Sequence, residues 1–217
     1  MALCAVLGSL FSALTATAQE IWVATYNGPA NASDFGHSIA VDSPGNVYVT
    51  GWSIGTGWDY ATIKYNNSGT QQWVARYNGP GNGDDEGDFI AVDSSGNVYV
   101  AGLSTGSGTG WDYATIKYNA SGVQQWVTRY NGPAGGNDAP NGMAIDAAGN
   151  VYVTGNSLGI GTGYDYATVK YNSSGTQQWV TRYNGPVNGG DYGNAIAVDS
   201  SGNVYVTRVE PRLRHGL

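Results

Sequence analysis

The chain has 217 residues, a formal charge of −7, 34 glycines, 16 tyrosines and 7 tryptophans, and only 12% charged residues. That length suits one sizeable domain or two small ones, and low charge with abundant aromatics excludes a disordered chain. The acidic balance argues against a nucleic-acid partner, and one cysteine with two histidines argues against disulfide frameworks, clustered-histidine zinc sites and Ser-His-Asp machinery.

The chain opens MALCAVLGSLFSALTATAQE. Its apolar run, Ala2 to Leu14, is too short to span a bilayer but has the length of a signal-peptide core. Ala16-Thr17-Ala18 is an A-x-A cleavage pattern before Gln19, so residues 1–18 are expected to be an export leader. The departure is the missing basic start: no Lys or Arg precedes Lys64. Cys4 lies in this segment, so the mature chain would carry no thiol. The expected location is secreted or cell-surface, with no membrane insertion once the leader is removed.

From Trp22 onward the chain repeats itself. Trp22, Trp73, Trp126 and Trp179 each open a WV-x-x-YNGP phrase, at spacings of 51, 53 and 53. Next comes a short apolar run, first as Ile39 to Asp42, and then "GNVYV", beginning at Gly45, Gly96, Gly149 and Gly202. "DYATIKYN" or "DYATVKYN" follows from Asp59, Asp112 and Asp165. Each phrase alternates with the two-residue period of a strand, as in Val47 and Val49 against Tyr48 and Thr50. No helical periodicity persists over three turns.

Two connectors, "SSG" and "NNSGT" with their variants, carry hairpin chemistry, with Gly taking positive φ. The other two are long: "GWSIGTGWD" before the third strand, and "NGPANASDFGHS" between units. Four antiparallel strands of about six residues, two tight turns and two long loops make one blade of a β-propeller. A solenoid repeat is usually shorter, and an immunoglobulin-type sandwich would not repeat its own sequence. The expected fold is all-β, an incomplete propeller of about three and a half blades spanning residues 19–207.

The phrases "GNVYVTG", "DYATIKYN" and "QQWV-x-RYNG", in that order, resemble the bacterial SBBP (seven-bladed beta-propeller) repeat from Trp22 to Thr207. The resemblance implies a secreted or cell-surface protein and carries no catalytic residues over. The fourth copy stops after two strands. Arg208 stands where Gly is expected, and residues 208–217 read as an aberrant tail, pointing to a truncated fragment of a larger propeller. Open blades would expose strand edges and invite self-association.

Topology gathers the tight turns at one end of the blades and the long loops at the other, where binding usually resides. The candidate ligand-binding residues there are Asp34, Asp85, Asp138 and Asp191, together with Trp58, Trp111 and Tyr164. Carboxylates beside aromatic rings suit carbohydrate, and several oxygens suit Ca²⁺. The acidic run Asp84 to Asp88 reads as a solvated loop, and "GSGTG" at Gly106 to Gly110 lacks the following helix a phosphate site requires. Asp59, Asp112 and Asp165 would face Arg76, Arg129 and Arg182 if the intervening hairpin carries a bulge.

Three functions follow in order of expectation. The first is a non-enzymatic binding or scaffold module with a protein or glycan ligand and no cofactor. The second is a carbohydrate- or Ca²⁺-binding lectin-like module. The third is a hydrolase or lyase using a carboxylate pair, for which nothing fixes two carboxylates at catalytic separation.

Overall fold

The computed structural model describes residues 21–186 and 188–209. The expected leader, residues 1–18, and the tail from 210 onward lie outside them. The first blade is β1 (Asp34–Val41), β2 (Val47–Ile54), β3 (Trp58–Tyr65) and β4 (Gln71–Tyr77). The second is β5 (Asp85–Val92), β6 (Val98–Thr105), β7 (Trp111–Tyr118) and β8 (Gln124–Tyr130). The third is β9 (Asp138–Ile145), β10 (Val151–Gly159), β11 (Gly163–Tyr171) and β12 (Gln177–Tyr183). A two-stranded sheet follows, β13 (Tyr192–Val198) with β14 (Val204–Val209). Every sheet is an antiparallel meander in chain order, and β1, β5, β9 and β13 pack against one another as the innermost strands. Among the described residues this is an incomplete propeller of three full blades and the inner half of a fourth.

The most repeated phrase has a local cause. Asp42 accepts hydrogen bonds from the Asn46 backbone N–H at 2.7 Å, the Asn46 side-chain amide at 2.8 Å and the Tyr48 hydroxyl at 2.9 Å. Gly45 supplies the positive φ, +85°, that the turn requires. Asp93, Asp146 and Asp199 repeat the arrangement with Asn97 and Tyr99, Asn150 and Tyr152, and Asn203 and Tyr205. D-x-x-G-N-x-Y is therefore a hairpin closed by one carboxylate.

The hydrophobic core lies between blades. Tyr48 and Tyr60 of the first blade pack with Val98, Val100, Ala114, Ile116 and Tyr118 of the second. Tyr99, Tyr113 and Tyr130 of the second pack with Val151, Val153, Val169 and Tyr171 of the third. Polar pegs register the stack. The Tyr60 hydroxyl donates to the Ala114 carbonyl at 3.3 Å, and the Trp73 indole N–H donates to the Ala120 carbonyl at 3.1 Å. Trp22 makes the equivalent bond to the Asn67 carbonyl at 3.2 Å, but residues 21–28 form no strand, unlike the strand expected of each repeated phrase.

Two other expectations change. The inner three strands of each full blade have eight or nine residues, not six, because β2 and β3 pair without interruption from Val47↔Tyr65 to Ile54↔Trp58. Most of "GWSIGTGWD" is thus ladder, and the connector is only residues 55–57. The acidic run is also mostly strand, since Asp85 to Asp88 begin β5.

Arg208 lies in β14, paired with Gly193, at the place held by Gly51, Gly102 and Gly155 in full blades. A Cβ at Gly102 would lie 1.8 Å from the Glu86 carbonyl oxygen and 2.8 Å from the Tyr60 hydroxyl. Glycine is demanded there by the β-bulge on the inner strand and by the blade before. In the half-blade the Arg208 guanidinium lies 4.1 Å from the centre of the Tyr183 ring. Tyr166 is only half-buried, whereas its counterparts Tyr60 and Tyr113 are fully buried under a complete next blade.

Candidate functional site: the long-loop rim

The second and third blades each carry one polar chain that crosses all four of their strands. In the second blade Asp85 of β5 bonds Ser104 of β6. The Arg129 guanidinium of β8 donates to the Ser104 hydroxyl, to the Ser104 carbonyl at 2.7 Å and to Asp112 of β7 at 2.9 Å. Arg76 does the same with Ser53 and Asp59, and Arg182 with Ser157 and Asp165. The bulge that the sequence left open is present: pairing shifts between Lys64 and Tyr65, which sets Arg76 opposite Ala61, on the face of Asp59. All three ion pairs measure 2.9 Å.

The candidate aspartates belong to this framework. Asp85, Asp138 and Asp191 are buried, and Asp34 is half-buried. Each accepts a hydrogen bond from the backbone N–H of the preceding N-G-P turn: Gly28 to Asp34 at 2.9 Å, and Gly79, Gly132 and Gly185 to their aspartates at 2.6 Å. Asp85 and Asp138 also take the N–H of Thr105 and of Leu158, both at 3.0 Å. Burial raises the proton affinity of Asp85 and Asp138, while the backbone and serine donors pull it back. These carboxylates fold the blade-to-blade link inward, so Asp85, Asp138 and Asp191 offer no open oxygen set to a sugar or Ca²⁺. The sequence could not separate a carboxylate that reaches solvent from one that closes a turn.

The aromatic positions separate differently. Trp58 is 37% exposed, Trp111 is 42% exposed and Tyr164 is half-buried. They are not equivalent sites. In the first blade Phe35, Trp52 and Trp58 form a ladder, with ring centres 4.3 Å apart at 29° and 4.6 Å apart at 15°. Trp52 is buried at its middle, and Phe35 at its end is 54% exposed. In the second blade Glu86 and Leu103 take the places of Phe35 and Trp52, and in the third Ala139 and Asn156 do. Tyr164 instead stacks on Tyr192 at 6.4 Å. Phe35 and Trp52 are functional candidates that sequence spacing misses. The pairing Phe35↔Trp52 across β1 and β2 is the signal that finds them.

The SBBP profile, described as a beta-propeller repeat, matches residues 24–57, 72–108, 125–161 and 178–207. The chain belongs to the SBBP beta-propeller repeat family. After the first, each SBBP match joins the outer strand of one blade to the inner two strands of the next, so the family repeat straddles the boundary between blades. One solved structure, "Crystal structure of the eukaryotic initiation factor", is similar over 69% of this chain and 32% of that one, with 8% identity and a TM-score of 0.46. The chain therefore spans about a third of that protein's length. No curated protein matches the sequence.

Proposed function

We propose that this SBBP chain is a non-enzymatic binding module whose ligand is a carbohydrate seated on the Phe35–Trp52–Trp58 ladder. The observation that carries this reading is the ladder: two exposed rings stacked on a buried one, 29° and 15° from its plane, on three paired strands. Flat aromatic faces stack on the C–H faces of sugar rings, and a rigid sheet spares the ordering cost of a flexible loop. The rim carboxylates that would do hydrolytic or Ca²⁺ chemistry are engaged by backbone N–H groups and arginines, which weighs against those two alternatives. Export and display at the cell surface complete the reading, supported by the leader-like sequence of residues 1–18.

The test is a glycan array probed with residues 19–217 and with Trp58→Ala. Retention of a glycan class by the parent chain and its loss in the variant supports the reading. No retained glycan, or equal retention by both proteins, rejects it and leaves a protein-binding scaffold.

A further inference from the structure

Each innermost strand of a full blade has an irregularity in its pairing with the next strand, between Gly36 and Ser38 in β1 and between Gly87 and Phe89 in β5. The residue set out of register is His37 in one and Asp88 in the other. Because β1 and β5 are neighbours around the propeller, the two irregularities meet. His37 Nδ1 lies 3.1 Å from Asp88 Oδ1. Glu86 stands two residues before Asp88 on the same strand. One ligand-capable atom from each of His37, Glu86 and Asp88 lies within 4.8 Å of the others. Among the described residues this is the one cluster of its kind.

Two acidic side chains stand together at this seam, and His37 is the ion-pair partner of Asp88. No lysine or arginine forms an ion pair with Glu86 or Asp88 among the described salt bridges. Two carboxylates and one imidazole, brought from two blades and half-open to solvent, make a three-ligand set with room for water. An imidazole with two carboxylates suits a first-row divalent ion such as Zn²⁺. Ca²⁺ takes six to eight oxygens, which this set does not supply.

We propose that His37, Glu86 and Asp88 form a Zn²⁺-class divalent-cation site that staples the first blade to the second at their inner strands. The trio is distinct from the aromatic ladder, so the proposal stands or falls independently of the carbohydrate reading.

The experiment is calorimetric titration of residues 19–217 with ZnCl₂, repeated on His37→Ala and Asp88→Asn, with Co²⁺ absorption as a probe of coordination. His37 is exposed, so its replacement leaves the fold intact, which far-UV circular dichroism verifies. The expected result is one equivalent of Zn²⁺ per chain, raised thermal stability on binding, and loss of both in each variant. A His37→Ala chain that still binds one equivalent would overturn the proposal and place the metal elsewhere, for example on His215, the only other histidine. No saturable binding by the parent chain would overturn it as well.

Discussion

The Arg129 guanidinium donates a hydrogen bond to the Tyr77 hydroxyl, 3.2 Å away across the boundary between the second and first blades. The same side chain holds Asp112 and Ser104 of its own blade. One arginine thus closes a hairpin and fastens a neighbour. Arg182 repeats the contact with Tyr130 at 2.9 Å, and Arg76 makes a longer one to Tyr26 at 3.4 Å. Burial alone would weaken Arg129's hold on its proton, but Asp112 and Tyr77 outweigh it, so the group stays charged.

Arg129→Met leaves the Asp112 carboxylate, 5% exposed, without its counter-charge. Removing one partner of a buried pair costs about 3–5 kcal/mol. Urea denaturation will show this as a lower midpoint, and adding Asp112→Asn will restore part of the loss. Arg76→Met will cost less, because Asp59 is more exposed and the Tyr26 bond is long.

Gly102 and Gly108 respond differently to alanine. Gly102 faces the Glu86 carbonyl and the Tyr60 hydroxyl, so a methyl group forces the inner strand and the preceding blade apart. Overpacking typically costs about 1–3 kcal/mol, and a 1.8 Å approach to a backbone oxygen belongs at or above the top of that range. At Gly108 the φ of +85° is unfavourable for alanine, but nothing lies within 4 Å. The strain there costs about 1–2 kcal/mol. Thermal denaturation of the two variants gives the ranking.

Trp73 and Trp179 hold the same place in the repeat but not the same environment. Trp73 bonds the Ala120 carbonyl and packs against Gly122 of the next blade, where a Cβ would come within 2.7 Å of its ring. Trp73→Ala should cost about 3–5 kcal/mol. The half-blade beside Trp179 has no described third strand, and its ring packs with Tyr152 of its own blade. Trp179→Ala should cost less than half as much, by the same urea midpoints.

The turn aspartates set the acid limit of the fold. Burial tends to raise Asp93, but bonds from Asn97, Tyr99 and Ser95 lower it overall, and Asp42 and Asp146 move the same way. Such groups stabilise the fold above the unfolded carboxyl value of about 3.9, and the benefit is lost as pH falls through their lower folded values. Asp85 and Asp138 move upward, so their contribution improves as the pH drops through the raised value and opposes the loss. The urea midpoint should fall between about pH 4 and pH 2. Asp93→Asn should lower it at pH 7 and make the acid decline shallower. An unchanged slope would show that the Asp93 turn does not set the limit.

Much of this architecture is legible in the chain because its phrases are turn and pairing chemistry. Asp42, Gly45, Asn46 and Tyr48 recur because one carboxylate closes each hairpin, and that reading needs only local geometry. What spans strands is harder to see. Asp59 meets Arg76 only because a bulge shifts the register by one residue, and alternation alone cannot fix that shift. Recurrence also misled about the rim. Asp85 and Trp111 repeat for opposite reasons, one buried on backbone donors and one exposed. His37 and Asp88 share no phrase, because their meeting depends on blade order.

The most direct test of the account compares Asp85→Asn with Trp58→Ala, each measured for urea midpoint and for calorimetric binding of the glycan that the array selects. If the rim aspartates hold the fold and the ladder holds the ligand, Asp85→Asn lowers the midpoint by the equivalent of about 1–3 kcal/mol and leaves the affinity of the folded fraction unchanged. Trp58→Ala then abolishes binding with little change in midpoint. The reverse pattern, with Asp85→Asn abolishing binding at an unchanged midpoint, would contradict the account and return the rim carboxylates to the binding site.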